Sequence, residues 1–501
     1  MSVLSFEFAA FALVVALILG RTSGPQRAWV LAGASLLFYA VTDAGHLWLL
    51  CVLIAVVYGA ARLLEASTGR LRIATLVAGI GVVIGALAAC RCLVYAPGSM
   101  RVLGGAPEIP GARGVAHAFP VGLSFYSLRL VAYLLDVYRG TREAERHPGR
   151  FFAFVALFLE IESGPIERAG ALLPQLTDAP AFDYARVSSG LIRVTWGVLK
   201  KVVVADYLAL PVGAVYGHPA GHSGAVLLLA TVAFAFQLYL DFSAYADIAI
   251  GAGQVLGLGL SENFSRPYFA SSVAEFWNRW HISFSQWLRD YLFLPVAYAT
   301  DRVFALRRMR PRTADLICFG VAAVTTMLIA GLWHGTSWTF LAWGGLNGAY
   351  LTIGRVTARG RSRLWRAVGM GTGASVRRVL GTLATFAWLC LAWVFFRSSS
   401  LTDAFSILRG IVTWCPAAGG QGWLPGGVAT LGLGTGRAMI SAVLLGGVLA
   451  VDLWCETAKA DVPSLIRRQP WMWRWACYYG VLLLIVRLGK FGDSSFIYFK
   501  F

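Results

Sequence analysis

The sequence predicts an all-α, polytopic membrane protein with about 11–13 transmembrane helices and additional re-entrant or interfacial helices. Of its 501 residues, 58% are hydrophobic and only 14% are charged, whereas soluble globular proteins carry roughly 25% charged residues. The deficit of charge extends along the whole chain, in apolar runs near the ~20 residues that cross a bilayer. Because no polar stretch is long enough to form a soluble domain, we expect a single membrane-embedded domain over residues 1–501.

The predicted spans are apolar runs close to the length of a bilayer-crossing helix. In chain order they cover residues 4–20, 28–41, 46–60, 73–92, 119–135, 188–208, 224–241, 315–333, 338–354, 379–397, 439–454 and 473–489. Two further apolar stretches, 151–162 and 244–260, are short or interrupted by glycine. We interpret them as re-entrant or interfacial, because irregular backbone at membrane depth is tolerated where protein buries it or where it lines a cavity. No basic segment of the signal-peptide type precedes the first run, so we expect that run to be retained.

The net charge of +18 is distributed unequally between alternate predicted loops. With the N-terminus outside, the segments that face the cytoplasm contain 30 of the 43 Lys and Arg residues, and the outer segments contain 8. Positive residues collect in cytoplasmic loops, so the bias predicts an extracytoplasmic N-terminus. The same bias explains the positive net charge of a protein surrounded by membrane lipids. No nucleic-acid partner is needed to explain that charge.

His334 lies between two apolar runs in the segment GLWHGTSWTFLAWGGLNG, flanked by Gly331 and Gly335. The glycines are expected to weaken the helix, and the span pattern places the histidine in a short turn. An ionisable side chain near membrane depth is costly and is by default a functional candidate. Desolvation there keeps the imidazole neutral, as a general base must be. A structural hydrogen bond between helices is an open alternative.

His281 lies in the segment VAEFWNRWHISFSQWLRDYLFLP, whose periodicity predicts one amphipathic helix. One face of that helix is aromatic and consists of Phe276, Trp280, Phe284, Trp287 and Tyr291. The polar face consists of Arg279, Ser283, Gln286 and Asp290. A helix rich in Trp and Arg is typical of a membrane interface. The pattern alone favours a surface-lying anchor in which the histidine is incidental.

Other patterns exclude several classes of protein. The sequence has no P-loop, no GxSxG and no HExxH, which removes ATPases, serine hydrolases of that type and zinc proteases. Its eight cysteines and seven histidines show no metal-ligand spacing, so we expect no metal site. The segment GAGQVLG within 244–260 follows no predicted strand and is therefore not a dinucleotide-binding loop. Close helix packing through small residues is expected there.

Eight segments occur in an order that is characteristic of a known family. They are FPVGLSFYSLRLVAYLLDVYRG, SGPIERAGALLPQ, DFSAYADIAIG, SENFSRPY, EFWNRWHISFSQWLRDYLFLP, GLWHGTSWTFLAWG, WVFFR and FIYFKF. In these segments, from residue 119 to the C-terminus, the chain resembles the bacterial alginate O-acetyltransferase branch of the membrane-bound O-acyltransferase (MBOAT) family. The resemblance implies the MBOAT fold, a bacterial inner-membrane location and an intramembrane acyl transfer.

The resemblance also implies site residues. His334 matches the family's central histidine and His281 its second polar position, so both are candidate catalytic residues. Their neighbours Trp333, Trp338, Trp277, Arg279 and Asp290 are candidate substrate-binding residues. Asn347 is a departure, because many members of the family carry a histidine in the same context.

The implied reaction starts from acetyl-CoA, which would be a substrate and not a resident cofactor. Its acetyl group would pass from the cytoplasmic side to a secreted or cell-surface polysaccharide, with help from extracytoplasmic acetyltransferase partner proteins. His334 would be the general base, and His281 would orient a substrate or stabilise developing charge. Two alternatives are open: D-alanyl transfer from a carrier protein to a cell-wall polymer, and a non-catalytic transporter or export scaffold.

Overall fold

The computed structural model describes residues 1–95, 119–178, 180–306, 311–367, 375–414, 435–491 and 496. Helices dominate these residues, and no strand occurs among them, which confirms the all-α prediction. The chain divides into two compact units, Met1–Val194 with Tyr245–Ser261 and Thr195–Ala244 with Glu262–Phe501. The expectation of one domain over 1–501 stays a prediction.

The described helices of the first half of the chain have the following bounds. They are α1 (Phe6–Leu19), α2 (Gly24–Asp43), α3 (Leu47–Ala66), α4 (Gly69–Tyr95), α5 (Leu123–Tyr138), α6 (Pro148–Ala156), α7 (Ala169–Gln175), α8 (Tyr184–Val198), α9 (Asp206–Gly217) and α10 (Gly224–Leu256). A π-helical segment, Leu199–Ala205, joins α8 to α9.

The second half of the chain is also helical. Its described helices are α11 (Val273–Trp277), α12 (Ile282–Leu288), α13 (Leu294–Leu306), α14 (Pro311–His334), α15 (Trp338–Ala367), α16 (Ser375–Arg397), α17 (Leu401–Val412), α18 (Thr435–Ala458), α19 (Val462–Arg467) and α20 (Trp471–Leu488). A second π-helical segment, Arg289–Phe293, joins α12 to α13.

Six of the described helical stretches are long and apolar enough to cross a membrane. They are Gly24–Ala66, Gly69–Leu93, Gly224–Leu256, Pro311–His334, Ser375–Arg397 and Met439–Ala458. The first of them, 43 residues long, contains two of the predicted spans. These stretches confirm a multi-pass helical membrane protein. The other predicted spans also coincide with helices that are shorter or less apolar, and the total of 11–13 spans stays a prediction.

The glycine-rich stretch 244–260 was expected to be broken, and that expectation is wrong. Helix α10 is continuous for 33 residues and ends only at Leu256. Its glycines permit close packing within the first unit: a Cβ on Gly251 would lie 2.6 Å from the carbonyl oxygen of Gly190 on α8. Small residues that bring two helix backbones together explain this composition, as the sequence also suggested.

Helices α14 and α15 form the hairpin that carries His334. Gly331 faces the carbonyl oxygen of Phe340, and a Cβ on Gly348 would lie 2.7 Å from Cα of Val324. Gly331 therefore does not weaken α14 but lets α15 approach it closely. Helix α15 also extends to Ala367, so the first part of the segment between the predicted spans 338–354 and 379–397 is helical.

Candidate active site

His334 is the last residue of α14 and not part of a separate turn. Only 4% of its surface is exposed. The imidazole is surrounded by aromatic rings, with centroid distances of 4.8 Å to Trp333, 5.1 Å to Trp343 and 5.1 Å to Phe396. Rings from the end of α14, from α15 and from α16 thus enclose one polar side chain.

His281 interrupts the predicted amphipathic helix. Its φ of 42° lies in the left-handed region, and it caps α12 after α11 has ended at Trp277. A left-handed conformation is uncommon for a residue other than glycine and is often found at functional sites. The side chain is only 1% exposed, and the aromatic stripe is buried with it. The prediction of one continuous, surface-lying helix is therefore wrong.

The two histidines lie in the same aromatic cluster of the second unit. The Phe284 ring is 4.9 Å from that of His281 and 6.1 Å from that of His334. The Trp333 ring, 4.5 Å from Phe284, also neighbours both imidazoles. Burial, and to a smaller extent the interaction with His334, lowers the pKa of His281 well below its ordinary value. His281 is therefore neutral at neutral pH.

Asn263 and Ser283 provide hydrogen bonds around His281. The Asn263 side-chain oxygen lies 3.1 Å from His281 Nδ1 and accepts a hydrogen bond from the Ser283 hydroxyl at 2.9 Å. It also accepts one from the Ser283 backbone N–H at 3.2 Å. Asn263 is fully buried. The hydroxyl and the backbone N–H of Ser283 thus hold the Asn263 amide, and this uncharged amide contacts the imidazole from one side.

The three predicted substrate-binding tryptophans have different environments. Trp333 is partly exposed and touches both histidine rings. Trp277 is buried, and its indole N–H donates to the Asn347 side-chain oxygen at 3.3 Å. Trp338 is 72% exposed at the start of α15. Trp333 is therefore the one that the structure places directly beside the histidines.

The two charged candidates are both engaged in ion pairs. Arg279 lies 2.8 Å from Glu275 and 3.0 Å from Glu456, and Glu456 also binds Arg266 at 2.8 Å. Asp290 pairs with Arg289 at 2.9 Å on a partly exposed surface. Substrate contacts by Arg279 and Asp290 stay predictions.

Sequence reasoning missed Asn263, Ser283 and Phe396 as parts of this site. Asn263 is inside the SENFSRPY segment, but a single asparagine in a loop has no periodicity that would reveal its partner. Asn347 is buried, and its amide donates to the carbonyl oxygen of Trp343 at 2.9 Å. Among the described residues, no three His, Cys, Asp or Glu side chains come together as a metal site requires.

Residues 150–367 match the family described as MBOAT, the membrane-bound O-acyltransferases. The matched range includes both histidines, Asn263 and the α14–α15 hairpin. It begins within α6 and ends where α15 ends.

The chain is similar to curated bacterial proteins of three kinds. It is 35% identical over 286 residues to the probable alginate O-acetylase AlgI of Azotobacter vinelandii, which covers 57% of this chain and 52% of that protein. It is 30% identical over 319 residues to the peptidoglycan O-acetyltransferase of Helicobacter pylori, covering 58% and 56%. It is 27% identical over 255 residues to the teichoic acid D-alanyltransferase of Streptococcus thermophilus, covering 49% and 59%.

The matched part of the chain spans about half the length of the alginate O-acetylases. The family match at residues 150–367 contains both predicted catalytic histidines, whereas Phe396 of the enclosing cluster lies outside it. Residues 150–367 are therefore similar to the membrane-bound O-acyltransferases, and the chain is similar to the alginate O-acetylases over about half of their length.

Proposed function

We propose that this protein is an O-acetyltransferase that moves the acetyl group of acetyl-CoA to a hydroxyl of a secreted or cell-surface polysaccharide, with His334 as general base. The observation that carries the proposal is the placement of His334 and His281 in one buried aromatic cluster. Relatives named as O-acetyltransferases of polysaccharide and peptidoglycan support the acceptor class.

The chemistry of the step follows from a neutral imidazole beside a thioester. The acceptor oxygen attacks the carbonyl carbon while His334 takes the hydroxyl proton. The carbon–sulfur bond then breaks, the acetyl group stays on oxygen as an ester, and the proton passes to the departing thiolate. General-base help of this kind is worth about 10²–10⁴-fold in rate. The surrounding rings keep water away from the thioester.

The donor is proposed to arrive from the cytoplasmic side. The last turns of α15 are rich in exposed arginines, namely Arg355, Arg359, Arg361, Arg363 and Arg366. Guanidinium groups bind phosphate well, and acetyl-CoA carries several phosphates. The charge bias of the sequence assigns this end to the cytoplasm. The acceptor and the proposed acetyltransferase partner proteins would then act on the opposite side.

The proposed location is a bacterial inner membrane with an extracytoplasmic N-terminus. Ser362→Cys, on a background without native cysteines, places a thiol near the arginine-rich end of α15. We expect an impermeant maleimide to label it only after the cells are opened. Labelling in intact cells would reverse the orientation and move the donor to the other side.

Acetyl transfer is tested directly with purified protein in lipid nanodiscs and acetyl-CoA labelled in the acetyl group. We expect release of CoA and movement of label to an added oligosaccharide. If only a carrier-bound D-alanyl group is transferred, the D-alanyl alternative is correct. If neither donor is consumed while the purified protein is folded, the protein is the export scaffold and not an enzyme.

A further inference from the structure

The backbone around His281 is held by pairing between two short segments. The Ile282 N–H donates to the Asn263 carbonyl at 2.9 Å, and the Ser265 N–H donates to the Arg279 carbonyl at 2.9 Å. These bonds hold the left-handed conformation of His281, with φ of 42°, at a fixed position. A conformation of this kind is unfavourable for a residue other than glycine and persists only where its surroundings impose it.

The hydrogen bonds to Asn263 decide which atom of its amide faces His281. A backbone N–H can only donate, so the Asn263 atom 3.2 Å from the Ser283 nitrogen is the carbonyl oxygen. That same oxygen lies 3.1 Å from His281 Nδ1. An oxygen that accepts there requires a hydrogen on Nδ1. Because a neutral imidazole carries a single N–H, the lone pair of His281 is on Nε2.

We propose that Asn263 is a positioning residue for acyl transfer, which fixes His281 as the Nδ1–H tautomer so that Nε2 accepts a hydrogen bond from a second hydroxyl of the acceptor, beside the hydroxyl whose proton His334 takes. The proposal rests on the proposed function and deepens it. A neutral Nε2 without hydrogen cannot donate to an oxyanion. Orientation of the acceptor through that second hydroxyl is therefore the role of His281, and stabilisation of developing negative charge is not.

An amide suits this role better than a carboxylate. A carboxylate at position 263 would accept the same hydrogen bond but would also stabilise the imidazolium. His334 is a titratable group that interacts with His281, and the Asn263 side chain contacts His281 without charge. An uncharged partner at Nδ1 does not favour the imidazolium, so the ring stays neutral across the physiological pH range.

The tautomer can be measured without any assay of activity. In protein labelled with [¹⁵N]histidine, the His281 signals are assigned by their loss in His281→Asn, because asparagine tolerates the left-handed conformation. We expect a neutral Nδ1–H ring in wild type. In Asn263→Ala we expect a mixture of tautomers. An Nε2–H ring in wild type would overturn the proposal.

The pH dependence of acetyl transfer gives the second readout. Asn263→Asp should raise the pKa of His281 and move the acid limb of the rate profile upward by about one pH unit or more, with activity recovered at high pH. Asn263→Ala should lose about 10–10²-fold at every pH without moving the limb. If the acid limb of the pH–rate profile of Asn263→Asp is not shifted at normal protein levels, the positioning role is overturned. Absence of transfer in wild type with an Nδ1–H ring would instead overturn the proposed function, and Asn263 would then have no reaction to position.

Discussion

Each unit buries a polar cluster, and the two clusters differ in charge. In the first unit Arg129 and Glu160 are 2.7 Å apart and almost fully buried. Arg129 also donates to the backbone carbonyl of Pro165 at 2.8 Å and to that of Phe154 at 3.3 Å. In the second unit His281 and His334 are buried among aromatic rings, and His281 Nδ1 lies 3.1 Å from the side-chain oxygen of Asn263, an uncharged amide.

This difference in charge distinguishes a buried polar cluster that stabilises the structure from one that can take part in a reaction. A guanidinium stays protonated at any physiological pH, and breaking a buried ion pair leaves an uncompensated charge. A neutral imidazole can take and return a proton near neutral pH. The Arg129 cluster is therefore suited to fixing the loop that follows α6, whereas the histidine cluster is suited to proton transfer.

The largest effect is expected for His334. His334→Gln keeps hydrogen bonding but cannot act as a base, so transfer per inserted molecule should fall about 10²–10⁴-fold. Thermal unfolding should change little. The measurement is acetyl content of the exported polymer, normalised to membrane-inserted protein. Thr326→Val, which removes another buried polar group from α14, should retain activity, and near-normal acetylation in His334→Gln would remove the histidine from the mechanism.

Arg129 should show the opposite behaviour. Arg129→Ala leaves Glu160 buried without its partner and should cost about 3–5 kcal/mol of unfolding free energy, seen as a large loss of inserted protein. The molecules that do fold should transfer acetyl at the normal rate. Normal abundance with lost transfer would make this cluster part of the chemistry.

Two controls sharpen the interpretation of Arg129→Ala. Replacing both partners, Arg129→Met with Glu160→Leu, should recover most of the stability because no lone charge remains. The exposed pair of Arg355 and Asp315, 2.9 Å apart, shows what the same type of contact contributes in solvent. Arg355→Ala should cost less than about 1 kcal/mol.

A smaller effect is expected in the hairpin that supports His334. Gly348→Ala would force a methyl group against Val324 and should cost about 1–3 kcal/mol, as overpacking does. Gly354, on the same helix, has no atom near such a methyl group. Gly354→Ala should therefore be neutral or stabilising by about 0.5–1 kcal/mol. Equal thermal stabilities of the two variants would show that the hairpin has no tight crossing at Gly348.

Apolar length and charge predicted the helical membrane fold because both are properties of local composition. The predicted span 315–333 lies within α14, and 379–397 lies within α16. The prediction of a break in 244–260 failed because glycine has two uses. It can end a helix, or it can admit another backbone, as Gly251 does; only the packing partner decides between them.

The sequence identified the two histidines as candidate site residues. It did not predict the backbone conformation or the side chains around them. His334 was identified because it is an ionisable residue between apolar runs and because its segment resembles that of a known family. Both features are visible within one short segment. The left-handed backbone of His281 was not predictable, because helical periodicity continues through it. Its contact with Asn263 joins positions 18 residues apart in an irregular segment. No pattern of apolar residues specifies such a contact.

The length of α10 has a consequence for the membrane around the protein. At 33 residues the helix is about 50 Å long, while the hydrocarbon core of a bilayer is about 30 Å thick. Even a tilt of about 40°, the upper end of what helices adopt, leaves it roughly 8 Å too long. A helix of this length that crosses the bilayer therefore extends beyond the hydrocarbon core at one end at least, and the end that contains Asp241 and Asp247 is the more polar one.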